Sequence, residues 1–337
     1  MSEQDHFNRR EFLKTISLTG AGLYLAGCTQ KPKKVLPTPF SEVATPIADV
    51  ENQDAVEGTS SEAQKPVYGD VYLSAVRGEN PTEMTRRAVA AVGGIERYIS
   101  NGMDVIIKPN ICTDYYSFEY GATTNPEVIA ALISLSLGAG AKRVRVMDNP
   151  FGGTAQSAYR KSGIEEAVLQ AGGEMEVMNS NKFRPNEIPD GVDLKEWNFY
   201  QDILDADVVI NVPIAKHHGT TGLTLGCKNL MGAIINRGQI HANIDQRIAD
   251  LTSRVRPALT VIDGIRTLMR NGPTGGNLND VNMSNTVIAS ADIVAADSYA
   301  ATLFDKTGAD IGYIKSAANM GLGIMDLNSI KVEEFSI

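Results

Sequence analysis

The chain has 337 residues, 43% of them hydrophobic and 21% charged, the balance of an ordinary folded globule. Its formal charge of −9 at pH 7 argues against a nucleic-acid partner, which calls for a basic face, and its 3 cysteines do not make a disulfide framework. The length suits one large domain or two lobes, and the sequence leaves both open.

The first elements are an export address and a tether. Asn8-Arg9-Arg10-Glu11-Phe12-Leu13-Lys14 carries the arginine pair read by the twin-arginine export machinery. The apolar run from Ile16 to Leu25 falls short of the roughly 20 residues a membrane span needs. It ends in Leu25-Ala26-Gly27-Cys28, which resembles a lipobox, so Cys28 is the expected site of lipidation. The expected partners are the twin-arginine translocase and the lipoprotein-processing enzymes. The expected location is the periplasmic side of the inner or outer membrane, held there by the lipid. Residues 1–27 read as a signal peptide. Residues 28–66, rich in Pro, Ala, Ser, Glu and Gln without an apolar period, read as a flexible linker. Residues 67–337 read as the folded domain.

From Val67 short β-branched runs alternate with helix-length segments. Strands are expected over Val71–Val76, Val105–Ile107, Val144–Met147, Glu176–Met178, Val208–Val212, Leu259–Ile262 and Thr286–Ala289. Helices are expected over Thr82–Ile99, Pro126–Leu137, Gln156–Ala171, Ile244–Val255 and Ala291–Phe304. The alternation predicts an α/β fold with a mostly parallel β-sheet flanked by helices.

Ligands of open α/β sheets bind outside the carboxyl ends of the strands. Polar residues gather after the predicted strands: Lys108 with Asn110 and Cys112, Asp148 with Asn149, Lys216 with His217 and His218, and Asp263. Every histidine beyond the signal segment falls between His217 and His241, and histidine suits both proton transfer and metal ligation. Neighbouring side chains in an extended chain point opposite ways, so one of His217 and His218 is expected to face a site. Cys227 and Cys112 are the thiols left once Cys28 is lipidated, too few for an ordinary four-cysteine iron–sulfur cluster. Lys228 is expected to open a helix through Asn229 whose free amides suit an anion. The stretch from Arg266 to Asn277 reads as a loop able to close over a ligand.

These residues resemble a known family. Lys108-Pro109-Asn110, Ala206-Asp207-Val208-Val209-Ile210-Asn211-Val212-Pro213 leading to Lys216 and His218, Lys228-Asn229-Leu230-Met231-Gly232, Val261-Ile262-Asp263-Gly264 and Gly272-Pro273-Thr274-Gly275-Gly276 are similar to the family catalogued as domain of unknown function 362. Many members carry ferredoxin-like cysteine motifs, which are missing from this sequence, so the resemblance implies no electron-transfer role. More distantly, His218 followed by Lys228 resembles a segment of the nickel-pincer lactate racemase family. That likeness implies an acid/base or metal-side role for His218 and a cofactor tether at Lys228, with His241 standing for a downstream histidine.

The expected function is that of an enzyme acting on a small anionic substrate. His218 would be the acid/base, and Lys216 or Lys228 would hold the anion. Lys108, Asn110, Asp148, Asn229 and Asp263 would line the ligand or cofactor site. The alternatives are a metal- or cofactor-binding accessory of a redox system, with His217, His218, His241 and Cys227 as ligands, and a non-catalytic binding lipoprotein.

Overall fold

A computed structural model describes residues 72–337. The signal peptide, Cys28, the linker and the first residues of the expected domain lie outside the described residues.

β1 (Leu73–Arg77) leads into α1 (Pro81–Ala91), which Asn80 caps by accepting from Glu83 N. This helix is shorter than the expected Thr82–Ile99, because Gly93 and Gly94 end it and a 3-10 turn over Ile95–Arg97 follows. β2 (Asp104–Pro109), α2 (Pro126–Gly138) and β3 (Arg143–Val146) come next. The helix expected over Gln156–Ala171 is two helices, α3 (Ala155–Lys161) and α4 (Ile164–Gln170). Gly163 breaks it at φ 77°, a conformation that side chains with a Cβ avoid.

The short β4 (Glu174–Met175) replaces the strand expected over Glu176–Met178. An unforeseen hairpin follows, β5 (Phe183–Glu187) with β6 (Glu196–Tyr200), and then α5 (Gln201–Asp205). β7 (Val208–Val212) lies where expected. Past Pro213 the chain stays extended as β8 (Ile214–His218), which pairs with β9 (Gly222–Thr224). Then come α6 (Gly226–Asn229), α7 (Ile244–Val255) and β10 (Leu259–Leu268). β11 (Val281–Ser290), α8 (Ile293–Ala301), α9 (Gly312–Asn319) and β12 (Val332–Ser336) complete the chain.

Ten strands form one sheet, in the order β12-β1-β11-β10-β7-β2-β3-β4, with β8 and β9 branching from β10. The pairs β12/β1, β10/β7, β10/β8, β7/β2, β2/β3 and β3/β4 are parallel; β11 is antiparallel to both its neighbours. The fold is α/β with a mostly parallel sheet. β5 and β6 form a separate two-stranded sheet, and the described residues make one compact unit rather than two lobes.

Its central strands are buried on both faces, which is why they read as continuous apolar runs. On β7, Val208, Ile210 and Val212 enter the core beneath α1 to α4, whereas Val209 turns to the core beneath α6 to α9. Each such buried aliphatic side chain stabilises the fold by about 1.5–3 kcal/mol. On that second face, register pairs Lys108 of β2 with Asn211 of β7. Two polar side chains thus stand in an apolar layer, just where both strands reach their carboxyl ends. Among the described residues no helix is long and apolar enough to cross a membrane.

Candidate functional site

The polar pair is the root of a buried network. Lys108 Nζ, fully buried, is 2.8 Å from Asp148 Oδ1 and 3.2 Å from Asn229 Oδ1. Asp148 also accepts from Ile111 N at 2.6 Å. Asn229 accepts from Asn110 Nδ2 at 2.9 Å and donates to Asn211 Oδ1 at 2.9 Å. Residues far apart in sequence are thereby locked at the ends of β2, β3 and β7. Gly232 must be glycine here: a Cβ would stand 1.9 Å from Asp148 Oδ1 and 2.5 Å from Lys108 Nζ.

Above this network opens a cavity of about 360 Å³. β8 supplies one wall. Its period of two puts Lys216 and His218 on one face and His217 on the other. His218 lines the cavity. His217 turns away and accepts from Gly272 N at 3.2 Å. Lys216, expected to hold the anion, lies under the wall, fully buried. Its ammonium reaches Asn110 Oδ1 (2.9 Å), Cys112 Sγ (3.2 Å), Ala122 O (2.6 Å) and Pro273 O (3.0 Å), which leaves its three N–H bonds nothing to offer a ligand.

Lys228 is the contrasting lysine. It lines the cavity at 9% exposure, and among the described residues the one polar contact of its amine is Met231 Sδ at 3.7 Å. Burial, assisted by the charges of Lys216 and Arg237, pulls its pKa down to about 8, against a smaller opposing pull from Cys112. His218 Nδ1 accepts from Thr220 N at 3.1 Å and Thr221 N at 3.4 Å. Burial, then Lys228 and Lys216, push its pKa down to about 3. The imidazole is therefore neutral, with its proton on Nε2.

Sequence reasoning missed three lining groups. Arg237 follows left-handed Asn236 and donates to Asn149 O and Ile234 O, in a segment without periodicity. Phe151 stands 56% exposed at the cavity. Thr224, opposite Lys216 in the β8/β9 register, is buried with no partner for its hydroxyl among the described residues. A period-two reading of Gly222–Thr224 against β8 would have found it.

Other expected residues lie elsewhere. Cys227 is fully buried away from the cavity, its amide bonded to Asp297 Oδ2 at 2.9 Å, and burial raises its thiol pKa. Gly226 N binds the other Asp297 oxygen, so the amides opening α6 are already satisfied and Lys228 sits inside that short helix. Asp263 accepts from Asn125 N (2.7 Å) and Ile265 N (3.0 Å); it ties the start of α2 to β10, and burial raises its pKa to about 6. His241 is exposed at the rim, its Nδ1 3.2 Å from Arg237 O. The four expected metal ligands His217, His218, His241 and Cys227 are not brought together. Among the described residues no group of three or more His, Cys, Asp or Glu side chains could hold a metal ion. The loop expected over 266–277 begins only after Leu268, and its Pro273 reaches the cavity.

Residues 105–302 match the family described as domain of unknown function (DUF362). The chain belongs to this family. A relative, the thylakoid-associated protein sll1697 of Synechocystis sp., is 25% identical over 253 residues, covering 70% of this chain and 74% of its own length. A solved structure, the lactate racemase apoprotein from Thermoanaerobacterium thermosaccharolyticum, aligns with a TM-score of 0.42 and 11% identity, over 69% of this chain and 56% of that one. The DUF362 chain thus spans little more than half the length of that enzyme. The nickel cofactor implied by the sequence likeness does not fit His218. Ligation through Nε2 needs a lone pair there and a proton on Nδ1, where two backbone amides already point.

Proposed function

We propose that the cavity binds a small anionic substrate and that the protein is an enzyme acting on it. One observation carries this reading: Lys228 and Arg237 line the cavity and Lys216 backs it, while Asp148, the one carboxylate among the lining residues, is already paired with Lys108. Uncompensated buried cations favour an anion strongly, since each charge is costly alone. Arg237 holds the anion at the rim. His218 donates from Nε2 to a developing oxyanion as a neutral imidazole, a known enzymatic device. This replaces the expected acid/base role, because a proton on Nδ1 would face two N–H donors. Proton acceptance falls to the Lys228 amine.

The reading is tested by thermal unfolding with acetate, lactate and phosphate. An accepted anion at one hundred times its Kd stabilises the protein by about 2.7 kcal/mol. Arg237→Gln should weaken that shift. If none of the anions raises the midpoint, the reading is lost.

The sequence also supports export by the twin-arginine route and anchoring through Cys28 on the periplasmic side of a membrane. Replacing Arg9 and Arg10 by lysine is expected to leave the protein in the cytoplasm, and Cys28→Ser to release it from the membrane fraction. Fractionation of cells expressing each variant checks both.

A further inference from the structure

Three lysines meet at this site, and two of them are saturated. Lys108 is held by Asp148, Asn229 and Pro109 O, and Lys216 by four acceptors. Lys228 has a thioether instead of an oxygen. An ammonium buried without an oxygen acceptor is destabilised relative to the free amine. The free amine is a nucleophile toward carbonyl carbon. The cavity places this amine among groups suited to such an attack: His218 offers a neutral N–H and Arg237 a guanidinium.

We propose that Lys228 condenses with the aldehyde or ketone of a small 2-oxo carboxylate to form an imine. The inference rests on the anion-binding reading above and names the substrate class. Arg237 takes the carboxylate, so the adjacent carbonyl is the group presented to the amine. Ile111, Phe151 and Met231 leave space for an apolar substituent. The Nζ lone pair forms the new C–N bond while the carbonyl π pair moves onto oxygen, beside His218 Nε2–H. One amine proton passes to that oxygen, giving a carbinolamine. The second leaves nitrogen as the C–O bond breaks, and water departs with the original carbonyl oxygen. Nothing is oxidised or reduced. With its pKa down at about 8, roughly one in ten Lys228 amines is free at pH 7, far above the fraction for a solvated lysine.

The test uses the full chain with glyoxylate, followed by sodium borohydride, which reduces an imine to a stable secondary amine. The expected product is one adduct per chain, with the mass of glyoxylate less one oxygen atom, mapped to the Lys228 peptide. Its free-amine fraction at pH 7 exceeds that of a solvated lysine by roughly 300-fold, so labelling there should exceed that at any surface lysine by at least about tenfold. Acetate, which has the carboxylate but no reactive carbonyl, should compete, and acetaldehyde should label less. Lys228→Met should lose the adduct while still unfolding cooperatively. Glyoxylate that raises the unfolding midpoint without labelling Lys228 would overturn the imine and leave the anion site standing. Labelling spread evenly over surface lysines, unchanged in Lys228→Met, would overturn it as well. Neither stabilisation nor adduct would remove both readings.

Discussion

Asp148→Ala is expected to destabilise the protein by about 3–5 kcal/mol, the usual cost of stripping one partner from a buried ion pair. Lys108 would be left as a fully buried cation with amide and carbonyl oxygens alone. Ile111 N would also lose its acceptor at 2.6 Å, and Asn149 N its acceptor at 2.9 Å. Against a typical total stability of about 5–15 kcal/mol, this is a large fraction. Chemical denaturation measures it directly. Adding Lys108→Met to remove the stranded charge should restore part of the loss but not all, because the two backbone amides remain unsatisfied. A full recovery would mean that the network is dispensable to the fold.

Lys228→Met should act in the opposite direction on stability while abolishing ligand capture. The native pKa of about 8 lies below the ordinary 10.5 of a lysine. Between those two values the unfolded chain binds more protons than the folded one, so this residue makes stability rise with pH across that window. Below about pH 8 its burial is a standing cost, on the order of 3 kcal/mol. A methionine of similar shape removes that cost. The variant should therefore unfold at a higher temperature at pH 7 and lose the rise between pH 8 and pH 10. Its affinity for a small anion should fall by about 2–5 kcal/mol, roughly 30-fold to several-thousandfold. Thermal unfolding across pH and titration calorimetry give both numbers. A variant less stable at pH 7, with anion affinity intact, would show that Lys228 is part of the scaffold.

Much of this arrangement was legible from pattern alone. The apolar runs of β2 and β7 and the β-branched pattern of β3 identified a parallel sheet, and the polar residues just past them identified its functional edge. What pattern does not carry is which donors are already spent. Lys216 looked like the residue to hold an anion, but its acceptors come from Asn110 and Ala122 in the connection between β2 and α2 and from Pro273 in the connection between β10 and β11. Asp263 likewise looked exposed at a strand end, but β10 runs on to Leu268 and its carboxylate is consumed by Asn125 N and Ile265 N. β8 escaped notice because its Lys-His-His sequence is polar; it is buried by partners rather than by apolarity. Arg237 had no periodic signal at all, since a left-handed Asn236 turns it into the cavity.

The saturated state of Lys216 has a consequence for how a ligand would meet this protein. Its positive charge is held in place before anything arrives, so no side chain must be ordered and no solvent shell rearranged for the charge to act. Mobile ions in solution, which screen exposed charges over about 8 Å at physiological ionic strength, cannot approach a group with 0% exposure. The pull on an anion once it is seated in the cavity is thus part of the architecture and is screened less than that of a surface charge, whereas the attraction of an anion still in solution falls as ionic strength rises.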